Sequence, residues 1–376
     1  MSPAPPLPRW ADVVLLPAVC LAVALLVAGG VAAAVGQNPI NVLVVLVKGA
    51  FGTPRGISYT LYYATTFIFT GLAVAVAFHS GLFNIGAEGQ AMIGGLGTAL
   101  MALWLGPALP GWVLIPLMLL AGALFGALWA AVPAVLQAYR GSHVVITTIM
   151  FNFIASSLMV YVLVNFIRPK SMMSVESAPF AASAKLPSMS AFLSSIGIDW
   201  PSSPLNISWF LALAAAAGVY LYLWRTRSGY RLRAVGSSAG AATYAGINAK
   251  HQVVIAMALS GALAGMVGMN EIAGVSGKLL LEFVAGAGFT GIAVALMGRN
   301  HPVGIVLASV LFGALFQGGA EVAFEVPGFS RDVVVMLQGF IVLFSGAMVY
   351  VIAPFVARSV AAAHRLADAA RKVRYG

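Results

Sequence analysis

Long apolar runs separated by short polar joints give this chain its pattern. Ten runs, at about residues 11–35, 59–79, 84–105, 111–137, 144–167, 207–224, 252–271, 283–297, 302–320 and 333–354, approach or exceed the length of a membrane-crossing α-helix. The run at 283–297 is short and glycine-rich, which predicts a broken or tilted helix. Residues 41–47 are apolar but too few to span, so 41–58 reads as an interfacial segment followed by a turn-rich loop. The fold expected is all-α: a polytopic membrane protein of about ten transmembrane helices, forming one membrane domain over 1–376. The first run could be a secretory signal, but about 25 residues exceed an ordinary signal core of roughly 7–15, so a retained helix is expected.

Composition sharpens this picture. Of 376 residues 61% are apolar and only 8% charged, which excludes an ordinary soluble domain, where about a quarter carry charge. Continuous runs, rather than segments of about ten alternating residues, exclude an outer-membrane barrel. The single cysteine, Cys20, lies in an apolar run and allows neither an intrachain disulfide nor a cysteine-based metal site.

The net charge of +10 would suggest nucleic acid in a soluble protein. Its placement says otherwise. With the N-terminus inside and ten crossings, thirteen of the lysines and arginines fall inside and seven outside, while the acids cluster outside. The basic excess therefore reports topology and contact with anionic lipid. Both termini are expected in the cytoplasm, with 168–206 an extracytoplasmic loop, 225–250 a cytoplasmic loop and 358–376 a basic cytoplasmic tail.

Neither nucleotide-binding motif survives inspection. Gly286-Ala287-Gly288-Phe289-Thr290-Gly291 fits G-x-G-x-x-G but lies in a span, follows no strand and has no acid about twenty residues on. Gly277-Lys278 resembles the end of a phosphate-binding loop, yet positions 272 and 279 are Ile and Leu. The five histidines sit at predicted helix ends or in the tail, and no catalytic spacing emerges. No enzyme active site and no metal site is read here; ATP hydrolysis, if it drives the protein, belongs to another chain.

Polar residues within the spans are the candidates for a pathway, because such groups are costly in hydrocarbon. They are Asn84, Glu88 and Gln90 around the glycine-rich stretch 81–90, Thr148 and Asn152 one helical turn apart on the fifth span, and Asn270 on the seventh. Capping or packing is the competing reading for each. In the cytoplasmic loop, Ser237-Ser238 offers an N-cap for a short helix through 239–245, closed by Gly246. A small-residue helix of this kind suits docking in a partner's groove; the alternative is a solvated loop whose charge fixes topology. Residues 70–76 also echo 290–296, by an internal repeat or by coincidence of common small residues.

The run Gly81-Leu82-Phe83-Asn84-Ile85-Gly86-Ala87-Glu88-Gly89-Gln90 resembles the signature of permease subunits of bacterial ABC importers for nucleosides and simple sugars, a superfamily that includes ribose and branched-chain amino acid permeases. The similarity extends through Ser142 to Asn152, and through 229–236 and 241–247, where the family places its ATPase-coupling helix. Size, N-terminal extension and the long loop after Arg168 resemble the larger of two dissimilar nucleoside permeases. The resemblance implies a heterodimeric pore, a cytoplasmic ATPase carrying ATP and Mg, and an extracytoplasmic binding protein. It implies no cofactor on this chain, residence in the bacterial cytoplasmic membrane, and coupling through Arg231, Arg233, Gly236, Ser238, Ala241, Ala242, Tyr244 and Gly246. A sugar such as a pentose is the alternative cargo. A secondary carrier coupled through Glu88 is the alternative mechanism.

Overall fold

In a computed structural model, the structure describes residues 15–171, 173–326, 328, 333–336, 338–340, 343 and 354–359. They form helices α1 (Leu16–Ala34), α2 (Pro39–Phe51), α3 (Pro54–His79), α4 (Ala87–Leu105), α5 (Gly111–Arg140), α6 (Val144–Val162) and α7 (Met189–Ser194). The second half adds α8 (Ser208–Arg225), α9 (Arg227–Ser237), α10 (Ala239–Tyr244), α11 (Ala249–Gly265), α12 (Ala287–Met297) and α13 (Pro302–Glu325). Two compact units result, Met1–Val47 with Gly319–Gly376, and Lys48–Gly318. The second holds every site discussed below.

Among the described residues, five stretches are long and apolar enough to cross a membrane: Pro54–His79, Gly111–Arg140, Val144–Ile167, Ala249–Ser276 and Pro302–Glu325. Helices α1, α4 and α8 fall on predicted spans, and the chain is a multi-pass membrane protein. Residues 41–47, expected to be interfacial, belong to the thirteen-residue helix α2. The predicted tenth span, 333–354, and the tail, 358–376, lie largely outside the described residues.

Local chemistry sets the helix starts. Thr53 accepts the Gly56 amide at 3.0 Å ahead of Pro54, so α3 opens with a side-chain cap and a proline whose missing N–H costs nothing there. Thr226, Ser238 and Asn248 cap α9, α10 and α11 in the same way.

Helix α3 is the axis of the large unit. It is buried along most of its length and packs on α12, α11 and α8. By contrast, α5 and α6 expose Leu120, Leu124, Leu128, Ile146 and Phe153, a face suited to lipid. Small residues bring α5 onto α11: a Cβ on Gly126 would stand 2.2 Å from the Gly261 carbonyl oxygen, and the reverse also holds. The echoing segments 70–76 and 290–296 lie against each other, with Gly291 seated on Thr70.

The break expected near 283 is real. Helix α11 passes into a π-helical stretch, Met269–Ser276, and after an irregular segment the chain resumes as α12, only eleven residues long. At about 1.5 Å per residue, α12 covers roughly 16 Å, about half of the ~30 Å hydrocarbon layer. Just beyond its C-terminal end the Asn300 carbonyl meets His79 Nε2 at 3.0 Å, at the end of α3. The N-terminus of α12 therefore lies about half-way into the bundle.

Candidate functional site

The stretch 81–90 is a junction. After α3 the chain turns at Gly81, runs without regular structure through 82–85, and starts α4 at Ala87. Asn84 is fully buried; its Nδ2 donates to Gln90 Oε1 at 2.9 Å and to Ser260 Oγ at 2.8 Å, and its Oδ1 accepts from Gly86 N at 2.9 Å. Gln90 Nε2 returns a bond to Asn84 Oδ1 at 3.1 Å, and Ser260 donates to the Ala73 carbonyl at 2.6 Å. Asn152 on α6 accepts from Gly89 N at 2.9 Å and donates to the Ile85 carbonyl at 3.0 Å. Thr148, on the same face and buried, packs beside Gly86. Four of the six predicted pathway residues, Asn84, Gln90, Thr148 and Asn152, thus gather at one junction tying α3, α4, α6 and α11 together.

Glu88 does something different. Its Oε1 accepts the Gly286 amide at 2.9 Å and its Oε2 the Gly288 amide at 2.7 Å. It caps, from another helix, the exposed donors at the N-terminus of half-helix α12, where the helix dipole also favours negative charge. The side chain is 6% exposed. It holds the half-helix in place rather than facing open space.

Open space lies above that cap, some 20–25 Å along α3 from His79. A cavity of about 310 Å³ is walled by Tyr62, Tyr63, Thr66 and Phe67 of α3, by Glu271, Ser276, Leu280, Phe283 and Phe316, and at its floor by Val284, Ala285 and Ala287 around the start of α12. Tyr63–Phe316 and Phe67–Phe316 centroids are 5.8 and 5.0 Å apart, so the rings form a continuous wall. In the same cavity Glu271 accepts hydrogen bonds from the hydroxyls of Thr66 and of Tyr62, whose ring packs on Tyr63.

Asn270, the sixth predicted pathway residue, stands behind this wall. It is fully buried, donating to Thr66 Oγ1 at 2.8 Å and the Tyr62 carbonyl at 3.2 Å, and accepting from Asn206 Nδ2 at 3.0 Å and Ser208 Oγ at 2.8 Å. It locks the end of α11 to α3 and α8. The neighbouring carboxyl, which sequence position assigned to a helix end near the outer face, is the one that reaches the cavity. One signal was available: Tyr62 and Thr66 are four apart and therefore share a face of α3.

The loop 168–206 contacts this region through residues from 176 onward. Phe180 N donates to the Gly277 carbonyl at 2.7 Å, Leu186 N to Ala273 at 2.9 Å, and Lys278 pairs with Glu176 at 2.8 Å. Hydrogen bonding to Lys278 holds the Glu176 carboxyl below the usual carboxylate range.

At the His79 end, α9 and α10 form a notch of about 750 Å³ lined by Arg225, Arg227, Arg231, Arg233, Ser238, Ala241 and Ala242 among others. Ser238 accepts the Ala241 amide at 3.3 Å, and Gly246, at φ +78°, follows the helix end, as the capping pattern predicts. Tyr244 is 98% exposed at the tip. The basic stretch 227–237, which sequence left without a helix, is α9. Its Gly236 lies directly on the backbone of His79 and Gly81, where a Cβ would stand 2.2 Å from the His79 carbonyl oxygen. The histidines expected only as boundary residues also join here: His79, Trp224 and His301 form one aromatic cluster, with Arg233 over the Trp224 ring.

Comparison with known proteins accords with this architecture. Residues 56–348 match the family described as branched-chain amino acid transport system / permease component. The chain is 37% identical over 305 residues to a guanosine ABC transporter permease, NupP, of Bacillus subtilis, covering 79% of this chain and 82% of that one. It is 35% identical over 325 residues to a glucose ABC transporter permease of Haloferax volcanii, with 85% and 84% covered. A nucleoside ABC transporter permease, NupB, of Lactococcus lactis is 34% identical over 325 residues, with 85% of each chain covered. A second permease from each of the two bacteria, NupQ at 30% and NupC at 32% identity, also matches.

Proposed function

The chain belongs to the permease-component family of branched-chain amino acid transport systems, and from that premise we propose that it is one pore-forming subunit of an ATP-driven importer of nucleosides. The observation that carries the cargo is the cavity between α3 and the broken α11–α12 region. Its aromatic wall suits the flat face of a base, and its carboxyl and hydroxyls suit a sugar. Relatives named for guanosine and nucleosides support the same choice. A hexose is the second reading, favoured by the similarity to a glucose permease; glucose and a ribonucleoside alike carry adjacent hydroxyls.

Relatives that come in pairs within one organism support a second, dissimilar permease completing the pore. The arginine-lined notch and exposed Tyr244 suit a cytoplasmic ATPase, which would hold the ATP and Mg. In this reading the loop 168–206, which contacts the Ala273–Lys278 region, lies on the side where a binding protein would deliver cargo. Both termini then lie in the cytoplasm, a placement supported by the lysine and arginine distribution along the sequence, and the membrane is the bacterial cytoplasmic (inner) membrane. Motion at α10 has a short route inward: α9 bears through Gly236 on Gly81, and the 81–90 junction carries Glu88, which holds the cavity floor.

Reconstitution in proteoliposomes tests the reading. ATP-dependent uptake of labelled guanosine and uridine is expected only with both permeases, the ATPase and the binding protein. Uptake without the ATPase would sink it, and uptake of glucose in place of nucleosides would select the second cargo.

A further inference from the structure

A carboxyl inside a helical bundle is costly unless something requires it, and Glu88 and Glu271 answer that requirement differently. Glu88 is used up by backbone amides. Glu271 bonds only to side chains that share its cavity and to the adjacent Asn270, while the ties that join α3, α8 and α11 run through Asn270 itself. Removing Glu271 would leave that architecture connected.

The donor and acceptor arrangement narrows what Glu271 can read. The Tyr62 and Thr66 hydroxyl hydrogens both point to its carboxyl, and Thr66 Oγ1 already accepts from Asn270. What remains toward the cavity is oxygen lone pairs, on the carboxyl and on the Tyr62 phenol. The face that Glu271, Tyr62 and Thr66 present accepts donors, while the Tyr63 phenol stands among the rings. No lysine or arginine is among the cavity-lining residues, so an anionic phosphate has no cationic partner there and meets a carboxyl instead. The volume, about 310 Å³, is at the low end of small-molecule sites.

We infer that Glu271, with Tyr62 and Thr66, forms a cargo-binding site within the membrane bundle that accepts the two adjacent hydroxyls of a ribose while the base lies against Tyr63, Phe67 and Phe316. The inference rests on the nucleoside reading above. The ribose diol is the group constant to all ribonucleosides, and a carboxylate accepting ribose hydroxyls is established chemistry in dinucleotide sites. The site separates ribonucleosides from their dideoxy analogues and from nucleotides, and leaves the choice of base to the tolerant aromatic wall.

Saturation-transfer NMR on the purified permease pair with its ATPase, without binding protein, reads this site directly, because it detects weak ligands proton by proton. Uridine is expected to show saturation on its ribose and base protons. 2′,3′-Dideoxyuridine and uridine 5′-monophosphate should bind at least tenfold more weakly, and Glu271→Gln should reduce uridine to the same level, the roughly ten- to hundredfold loss of a hydrogen bond to a charged group. Tyr62→Phe, which keeps the ring, should lower uridine binding in the same direction. Equal wild-type signals from uridine and the dideoxy analogue would overturn the inference, and that comparison needs no variant to fold. So would Glu271→Gln in an assembled complex with undiminished uridine signal. Uridine uptake combined with equal signals would leave the nucleoside importer standing and this site fallen. Glucose saturation lost in Glu271→Gln, with no uridine signal, would retain the hydroxyl site and remove the nucleoside reading.

Discussion

Glu88 shows how much a side chain's neighbours decide about its role. Both carboxyl oxygens receive backbone amides from the start of α12, so its charge completes a helix end. Glu88→Gln would weaken the interaction with the helix dipole and turn one amide donor against another. A loss of about 1–3 kcal/mol is expected, read as a lower thermal midpoint in detergent. If Glu88 is a cap, nucleoside uptake at constant internal ATP should persist when a protonophore collapses the proton gradient. Uptake abolished by the protonophore would restore Glu88 as a coupling carboxyl.

Among the elements, the α5–α11 crossing depends on bare backbone. Gly261→Ala would drive a Cβ to 2.2 Å from the Gly126 carbonyl oxygen, whereas Gly218→Ala meets nothing within 4 Å. The first should cost about 1–3 kcal/mol or more of stability and yield aggregated protein on size exclusion; the second should be silent. The loop 168–206 gives a pH-dependent counterpart. The Glu176 carboxyl is held below its ordinary range by Lys278, so its contribution is full above the unfolded carboxylate pKa of about 4.3 and fades as pH falls through the lower folded value. The difference in thermal midpoint between wild type and Lys278→Ala should be constant above about pH 5 and shrink toward pH 3.

At the scale of the whole molecule, under the importer reading, an ATPase docked at α9 and α10 must reach a cavity roughly 20–25 Å along α3. The chain of contacts runs from α10 through Gly236 to Gly81, then through Glu88 to the floor of the cavity. Tyr244 is free of structural duty at 98% exposure, so Tyr244→Ala should leave the permeases assembled and folded. Under the coupling reading it should lower ATP-driven uptake about tenfold or more and weaken ATPase retention on an affinity column, the loss expected for an aromatic anchor at an interface. Normal uptake in that variant would place the ATPase contact elsewhere.

The sequence alone determined what depends on local physics. Apolar runs predicted nearly every described span, because transfer of a helix into hydrocarbon depends on its own composition. Ser238 and Gly246 marked the ends of α10, because caps are read within a few residues. The stretch 81–90 and its partners Thr148 and Asn152 were legible as polar groups in an apolar setting. Only the tertiary structure decided which polar groups are consumed and which face open space. Glu88 finds its donors about two hundred residues away, at Gly286 and Gly288, and Glu271 finds its own at Tyr62 and Thr66. Spacing puts Tyr62 and Thr66 on one face of α3, but it does not name the distant carboxyl they meet, and nothing local ties Glu88 to α12. The most conspicuous carboxyl in the sequence became a helix cap, and the one that reads as a helix-end residue came to line the cavity.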